Sequence, residues 1–256
     1  MSTTAISRGS TDPIACLLSS LHNGTPFPSQ GAKLLDEMME RRISSIPRQK
    51  LGRILLALAH VGISKFEDYD KILSYLTRTE TAGNEKCMED LKTFELLMRC
   101  GLVEGCEFSN FSVSNRKFLL RIRSAKFEPR KVGCPISEDV ESILREACMR
   151  FDKVPLGPFS LRFARLGESG VTPSEKLESP ISVLRNSVCV EVWNEASFMG
   201  KGLRPLAKIR AAILHGLKIQ TVHVPHFDWS ELKTKKMQKL YLVNLLAAST
   251  QHCETI

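Results

Sequence analysis

The chain has 256 residues, 43% of them hydrophobic, and its 36 lysines and arginines against 28 acids give a formal net charge of +8. This hydrophobic content excludes a disordered composition and is enough for one large domain or two modest ones. The sequence has no apolar run long enough to span a bilayer. The basic excess lies in two segments, 115–131 and 199–240. It favours a polyanionic partner, although solubility or docking to an acidic protein also fits.

The eight cysteines are scattered, and the closest two, Cys100 and Cys106, are too far apart for a Cys-x-x-Cys pair. This pattern predicts reduced, mostly buried thiols in a reducing compartment rather than disulfides or a zinc site. We therefore expect neither a metal nor a cofactor.

Residues 1–25 are predicted to be a flexible or presequence-like amino terminus. Before Asp12 this segment contains Arg8, several serines and threonines, and no acid. That composition is typical of a mitochondrial presequence, and a disordered start gives the same pattern.

Apolar residues at helical spacing predict a helical domain over 30–153. Its first four apolar stripes lie in 34–43, 51–59, 66–76 and 91–98, with Gly62 and Gly101 as helix ends. Leu55, Leu58 and Gly62 align with Phe94, Leu97 and Gly101 at an offset of 39 residues. The offset fits a short helical repeat array. Because glycine is common at helix ends in any fold, a plain helical bundle fits the pattern too, and both remain open.

Two further helices are predicted in this domain. The first lies between 109 and 131, where it buries Phe118 and Ile122 and presents a basic ridge. The ridge consists of Arg116, Lys117, Arg121 and Arg123. It suits contact with phosphates, or equally a solvated helix whose arginine stems cover apolar surface. The second helix begins near Ser137, with Val140, Ile143, Leu144, Ala147 and Phe151 on its core side.

Residues 154–180 are rich in Pro, Gly and Ser and are predicted to be a linker. Within it, 159–164 could form a strand that joins the sheet of the following domain. That domain, 181–250, is predicted to fold as strand, helix, strand, helix. This order predicts parallel strands joined by a right-handed crossover.

The elements of 181–250 follow from spacing. Val188, Val190 and Val192 alternate as in a half-buried strand, and Pro225 closes the second strand. The helix between them is expected to end at Gly216 in the left-handed conformation. Ser230 is the expected N-cap of the last helix. The apolar face of that helix is expected to contain Met237, Leu240, Tyr241, Val243, Asn244, Leu245 and Leu246.

This part of the chain resembles the RAP domain, a module of organelle proteins that is thought to bind RNA. The resemblance rests on Leu214-His215-Gly216, the strand 221–225, the step Phe227-Asp228-Trp229, and Tyr241-Leu242 with Leu245. It implies a small α/β domain with a restriction-endonuclease-like core, in an α+β chain whose amino-terminal part is a helical bundle or short repeat array. The helices also resemble, loosely, those of the Fas-activated kinase-like mitochondrial proteins. Together these resemblances imply the mitochondrial matrix.

Nucleases with such a core hold Mg²⁺ with clustered carboxylates. Glu191 matches the family's strand glutamate, but Trp193-Asn194 stands where the family often has Asp-Gly. We therefore expect no catalytic residue, and we expect Glu191 to pair with Lys208 or Arg210.

The resemblance and the charge pattern predict RNA binding. One candidate phosphate track is Lys201, Arg204, Lys208 and Arg210, and another is Lys233, Lys235, Lys236 and Lys239. Trp193, Phe227 and Trp229 are candidates for stacking on unpaired bases, with core packing as the alternative for each. We expect His215, His223 and His226 at the surface or facing RNA rather than binding a metal.

Three functions fit this sequence. The first is a non-catalytic subunit of the mitochondrial ribosome, or a factor for ribosome assembly and RNA processing. The second is a free factor for the stability or processing of organellar messenger or ribosomal RNA. The third is a metal-dependent RNA endonuclease. RNA and other ribonucleoprotein subunits are the expected partners.

Overall fold

The computed structural model describes residues 12–28, 33, 37, 43–62, 65–79, 85–128, 134–147, 150–165 and 187–251. It confirms a mixed α+β chain. By internal contacts the chain divides into two compact units, Met1–Lys126 with Arg204–Ile209, and Phe127–Leu203 with Arg210–Ile256. Among the described residues, no helix combines the length and the apolar character needed to cross a membrane. The presequence-like segment 1–11 lies outside the described residues, as does most of the first expected helix, 34–43.

The helices of the first unit are α1 (Pro13–Asn23), α2 (Arg48–Val61), α3 (Phe66–Arg78), α4 (Glu85–Arg99) and α5 (Val113–Ser124). The helix α1 was not predicted. Its N-cap Asp12 accepts a hydrogen bond from the backbone N–H of Ile14. The other four were predicted from their apolar stripes, and Gly62 and Gly101 end α2 and α4 with φ of 69° and 66°. Within the unit, α2 packs against α1, α3 and α4, and α5 packs against α3 and α4.

A close approach joins α2 to α4. A Cβ on Gly52 would lie 3.0 Å from both the Asp90 Cβ and the Cys87 carbonyl oxygen, so only glycine fits there without a shift. Beside it, Arg53 donates from Nε to Asp90 Oδ2 at 3.0 Å, and its Nη2 lies 2.9 Å from Oδ1. Burial raises the pKa of Asp90 to about 6, although the Arg53 guanidinium acts in the opposite direction.

The second unit contains the helices α6 (Pro135–Ala147), α7 (Pro205–Gly216), α8 (His226–Glu231) and α9 (Lys235–Gln251). The first five residues of α7, 205–209, group with the first unit. Its strands are β1 (Arg150–Leu156), β2 (Phe159–Arg165), β3 (Val188–Trp193), β4 (Phe198–Met199), β5 (Gly202–Leu203) and β6 (Thr221–Pro225). The main sheet has the order β1-β2-β3-β6. The strand β3 is antiparallel to β2 and parallel to β6, as expected for strands separated by a helix.

Both faces of this sheet are buried. Val188, Val190, Val222 and Val224 pack with α6 and α9 through Leu144, Leu242 and Leu246 on one face. On the other face Leu161, Phe163 and Cys189 pack with Leu214 of α7. The prediction of a half-buried β3 was therefore wrong, because Val188, Cys189, Val190 and Glu191 are all buried.

Several sequence-based boundaries differ from the structure. The strand β1 was not predicted, and Phe151 lies in it rather than in the preceding helix. The predicted strand at 159–164 is confirmed as β2. The helix α6, which the sequence placed in the helical domain, belongs by its contacts to the second unit.

The ends of the last helices also differ from the expectation. The left-handed residue after α7 is Lys218, with φ of 56°, rather than Gly216. Ser230 lies inside the unpredicted α8, and Thr234 caps α9 by accepting the Met237 backbone N–H at 3.2 Å. Of the expected apolar face of α9, Met237, Leu240 and Asn244 are exposed and Leu246 is buried, while the buried Leu242 was not expected on that face.

We expect Arg53→Met to lower the free energy of unfolding by about 3 kcal/mol near pH 7.5, because a buried carboxylate loses its cation. The folded pKa of Asp90 is raised above the unfolded value, so the native state takes up a proton more readily. The contribution of this carboxyl to stability is therefore full at low pH and declines as the pH rises through about 6. Without Arg53 the carboxyl can remain protonated, so the loss should shrink near pH 5. Urea denaturation at both pH values measures this, and equal losses would contradict it.

Candidate nucleic-acid interface

The amino end of α9 carries four lysines. Leu242 and Leu246 anchor the helix in the core, and Thr234 fixes where it begins. Lys235, Lys236 and Lys239 fall within an arc of roughly 100° at 3.6 residues per turn. These three and Lys233, which precedes the helix, are all exposed.

The charge of this helix end is unbalanced. Its first turn contains no acidic residue. Among the described residues, no carboxylate forms an ion pair with any of the four lysines. The free N–H groups and the dipole of a helix already make its amino end positive. The lysines add to that potential, so the α9 basic end (Lys233, Lys235, Lys236 and Lys239) is suited to bind anions.

The other predicted track is divided between the two units, with Arg204 and Lys208 in the first. Lys201 is exposed at the turn of the β4–β5 hairpin, and Arg204 and Lys208 are exposed at the start of α7. Arg210 is two residues after Lys208, which places the two side chains roughly 160° apart around the helix. Arg210 turns towards the sheet, where Glu191 holds it.

The contact between Glu191 and Arg210 confirms one of the two predicted partners. Arg210 Nη2 donates to Glu191 Oε1 at 2.7 Å, and Nε lies 2.5 Å from Oε2. Glu191 is only 3% exposed. The guanidinium also lies over the Phe159 ring, 4.8 Å from its centroid. Because one guanidinium contacts both carboxylate oxygens, we assign Arg210 to the fold rather than to the candidate interface.

Among the residues that the structure describes, no further acid near Glu191 is arranged to hold a metal. In the described part of the chain, no group of three or more His, Cys, Asp or Glu side chains has that arrangement. The neighbouring Cys189 thiol lies 3.8 Å from Glu191 Oε1, and burial raises the pKa of this thiol strongly. Asn194 accepts hydrogen bonds from the backbone N–H of Ser197 at 3.1 Å and from its hydroxyl at 3.0 Å. It therefore shapes the turn after β3.

Aromatic rings gather where the parallel strands β3 and β6 end. The Trp193 ring centroid lies 4.0 Å from that of His223 and 6.0 Å from that of Phe198. Phe198 in turn lies 5.4 Å from His226 and 5.3 Å from Phe227. We call these five residues the aromatic row. Trp193 and His223 are half-buried, whereas Phe227 is 47% exposed.

The sequence also singled out Trp229 and three histidines, and these residues are divided between the core and the surface. Trp229 is buried and packs edge-on against Tyr241 at 6.4 Å, so the core interpretation is correct. His215 is exposed, as expected. His223 and His226 are half-buried, and the Nδ1 atom of each is buried without a hydrogen-bond partner among the described residues. Burial lowers the pKa of His223, although Glu191 raises it.

The cations of α5 belong to the first unit. Lys117 and Arg121 are exposed, Arg116 is half-buried, and Arg121 lies over the Phe118 ring. Arg123 donates to the buried Glu95 at 2.6 Å. We therefore assign Arg123 to the fold, as with Arg210, while Lys117 and Arg121 remain candidates.

Sequence reasoning missed two residues of this region. Phe198 joins Trp193 to Phe227, and its only sequence signal was an apolar residue in a glycine-bracketed loop. Thr234 is the N-cap at the start of α9. The sequence indicated it only by a hydroxyl residue three positions before Met237, which is the spacing of an N-cap.

No protein-family model matches the chain, and a search of curated proteins finds no significant relative.

We expect Arg210→Met to lower the free energy of unfolding by about 3 kcal/mol, because Glu191 is then buried without a partner. The double variant Glu191→Leu with Arg210→Met should recover most of the loss, since it removes both charges together. Urea denaturation of the single and double variants measures the coupling. Additive losses would show that the pair does not act as a unit.

We also expect His223 to make the fold sensitive to acid. Its folded pKa lies below the unfolded value of 6.5, so the neutral form stabilises the native state above that pH. This contribution is lost as the pH falls through 6.5 towards the folded pKa. His223→Phe keeps a ring beside Trp193, and its stability should fall less between about pH 7 and pH 5.5. Parallel stability curves for the two proteins would contradict this.

Proposed function

We propose that this chain is a non-catalytic RNA-binding protein whose second unit is a RAP-like module. The observation that carries the proposal is the α9 basic end. Four exposed lysines stand at the positive end of a helix, and no described carboxylate pairs with them. A phosphate backbone is the ligand that such a surface suits best, because each neutralised phosphate releases a condensed counterion.

The composition of this helix end supports a binding role. Acids in the first turn of a helix stabilise it, and cations there destabilise it, by a few tenths to about 1 kcal/mol each at low salt. A sequence under pressure for stability alone would place Asp or Glu where Lys235 and Lys236 stand. A lysine cluster at this position is therefore better explained by a ligand than by folding.

The proposal extends to the mitochondrial matrix and to a ribonucleoprotein, as the RAP resemblance implies. The chain is a subunit of the mitochondrial ribosome or a factor for ribosome assembly and RNA processing. The alternative is a free factor bound to organellar transcripts. Sedimentation of the native protein after a high-salt wash separates them, because a ribosomal subunit stays with the particles and a free factor does not.

The contacts of the Glu191 carboxylate argue against a nuclease. A catalytic carboxylate must offer oxygens to a metal, whereas both oxygens of Glu191 contact Arg210. Incubating the purified protein with RNA and magnesium tests this point. Cleavage that is abolished by Glu191→Ala would overturn the non-catalytic assignment.

We expect charge reversal of Lys235, Lys236 and Lys239 to glutamate to weaken RNA binding at low salt by an order of magnitude or more. The slope of log K against log salt should fall by about 0.7 for each phosphate of a single strand that the variant no longer neutralises. Fold stability should not fall, because the new acids suit the helix dipole. Fluorescence anisotropy at several salt concentrations and thermal denaturation measure the two effects.

The matched control reverses three exposed lysines elsewhere, Lys50, Lys71 and Lys218. It changes the net charge by the same amount, so it reproduces any loss that depends only on total charge. If the control weakens binding as much as the α9 variant, the α9 basic end is merely solvated and the proposal loses its main support.

A further inference from the structure

The aromatic row leads from the interior of the second unit to its surface. Glu191 pairs in register with His223 across β3 and β6, and Trp193 follows on the same face of β3. From Trp193 the ring contacts continue to Phe198 and then to Phe227. The row thus begins beside a buried ion pair and ends on an exposed phenyl ring.

Among the described residues, no aromatic ring lies flat against Phe227. Phe198 and His226 meet it at interplanar angles of 64° and 74°, so both contacts are nearly perpendicular. With 47% of the residue exposed, a large apolar surface faces water at this point. The perpendicular neighbours hold the ring in place and leave it available to a flat ligand.

The hairpin that carries Phe198 also carries a cation, Lys201. Phe198 pairs with Leu203 and Met199 with Gly202, which places Lys201 in the turn between the two short strands. Lys201 is three residues from Phe198, so the two Cα atoms are at most roughly 11 Å apart. Met199, beside Phe198, is 49% exposed. An exposed ring, an exposed thioether and an exposed ammonium therefore share one end of the sheet.

The acid next to Phe227 does not cancel this cation. Asp228 Oδ2 accepts a hydrogen bond from the Tyr241 hydroxyl at 3.4 Å, on the side where Trp229 packs into the core. The Asp228 carboxylate is thus drawn towards Tyr241.

We propose that Phe227 is a stacking platform for an unpaired base of RNA, with Lys201 contacting an adjacent phosphate. The proposal rests on the proposed function and narrows its ligand to single-stranded RNA. In a duplex the faces of the bases are covered by their neighbours, whereas an unpaired base can leave the stack. Every base has a π face, so the platform accepts any base without reading the sequence. Trp193 and His223 support the row from inside and are positioning residues.

Abasic nucleic acid provides the decisive test. A roughly 12-nucleotide single strand and an abasic strand of the same length carry the same phosphates, but only the first has bases to stack. We expect the full chain to bind the normal strand about tenfold more tightly than the abasic strand. Phe227→Ala should remove this difference and leave binding of the abasic strand unchanged.

Two controls accompany the test. Phe108→Ala removes a phenyl ring of similar exposure from the first unit, and it should leave the preference for the normal strand intact. Phe227→Tyr keeps the aromatic ring and should preserve the preference, whereas Phe227→Leu keeps only apolar surface and should reduce it.

The outcomes separate this inference from the proposed function. Tight and equal binding of both strands by the native protein overturns the platform and leaves phosphate binding by the α9 basic end standing. An equal loss for Phe108→Ala and Phe227→Ala also overturns the platform. Failure to bind either strand overturns both proposals.

Discussion

The two-point contact between Glu191 and Arg210 is the constraint on which the second unit depends. A carboxylate that is 3% exposed requires a cation, and α7 brings Arg210 to it. The contact fixes the rotation of α7 about its own axis, because Arg210 must point towards β3. One buried pair thus decides which cations of α7 belong to the fold.

The same pair determines the chemistry at the end of the sheet. With both oxygens of Glu191 engaged, the strand offers no free carboxylate to a metal. Next to the pair, burial lowers the pKa of His223, whose ring packs against Trp193. Beyond it, the aromatic row continues to Phe198 and Phe227, and Asp228 beside Phe227 accepts a hydrogen bond from Tyr241.

The net charge of the chain overstates the charge available to a partner. In the first unit, Arg53 and Arg123 neutralise the buried carboxylates of Asp90 and Glu95. Lys92 donates to the carbonyl oxygens of Ile122 and Arg123, at the end of α5. These cations stabilise the fold because their partners are buried. The α9 basic end has no such partners among the described residues, and its lysines stand where the helix dipole disfavours them.

Much of this architecture follows from the sequence alone. Apolar spacing and glycine stops located α2, α3 and α4, and alternation with flanking prolines located β2, β3 and β6, because local patterns control where helices and strands form. The sequence also restricted the partner of Glu191 to two cations on one helix. Other features depended on tertiary packing. The identity of that partner depends on how α7 is rotated against the sheet, and the burial of both faces of β3 depends on helices far away in the chain. The aromatic row joins residues of β3, the β4–β5 hairpin and α8, and no local pattern encodes such contacts, because they exist only after the two strands have paired in register.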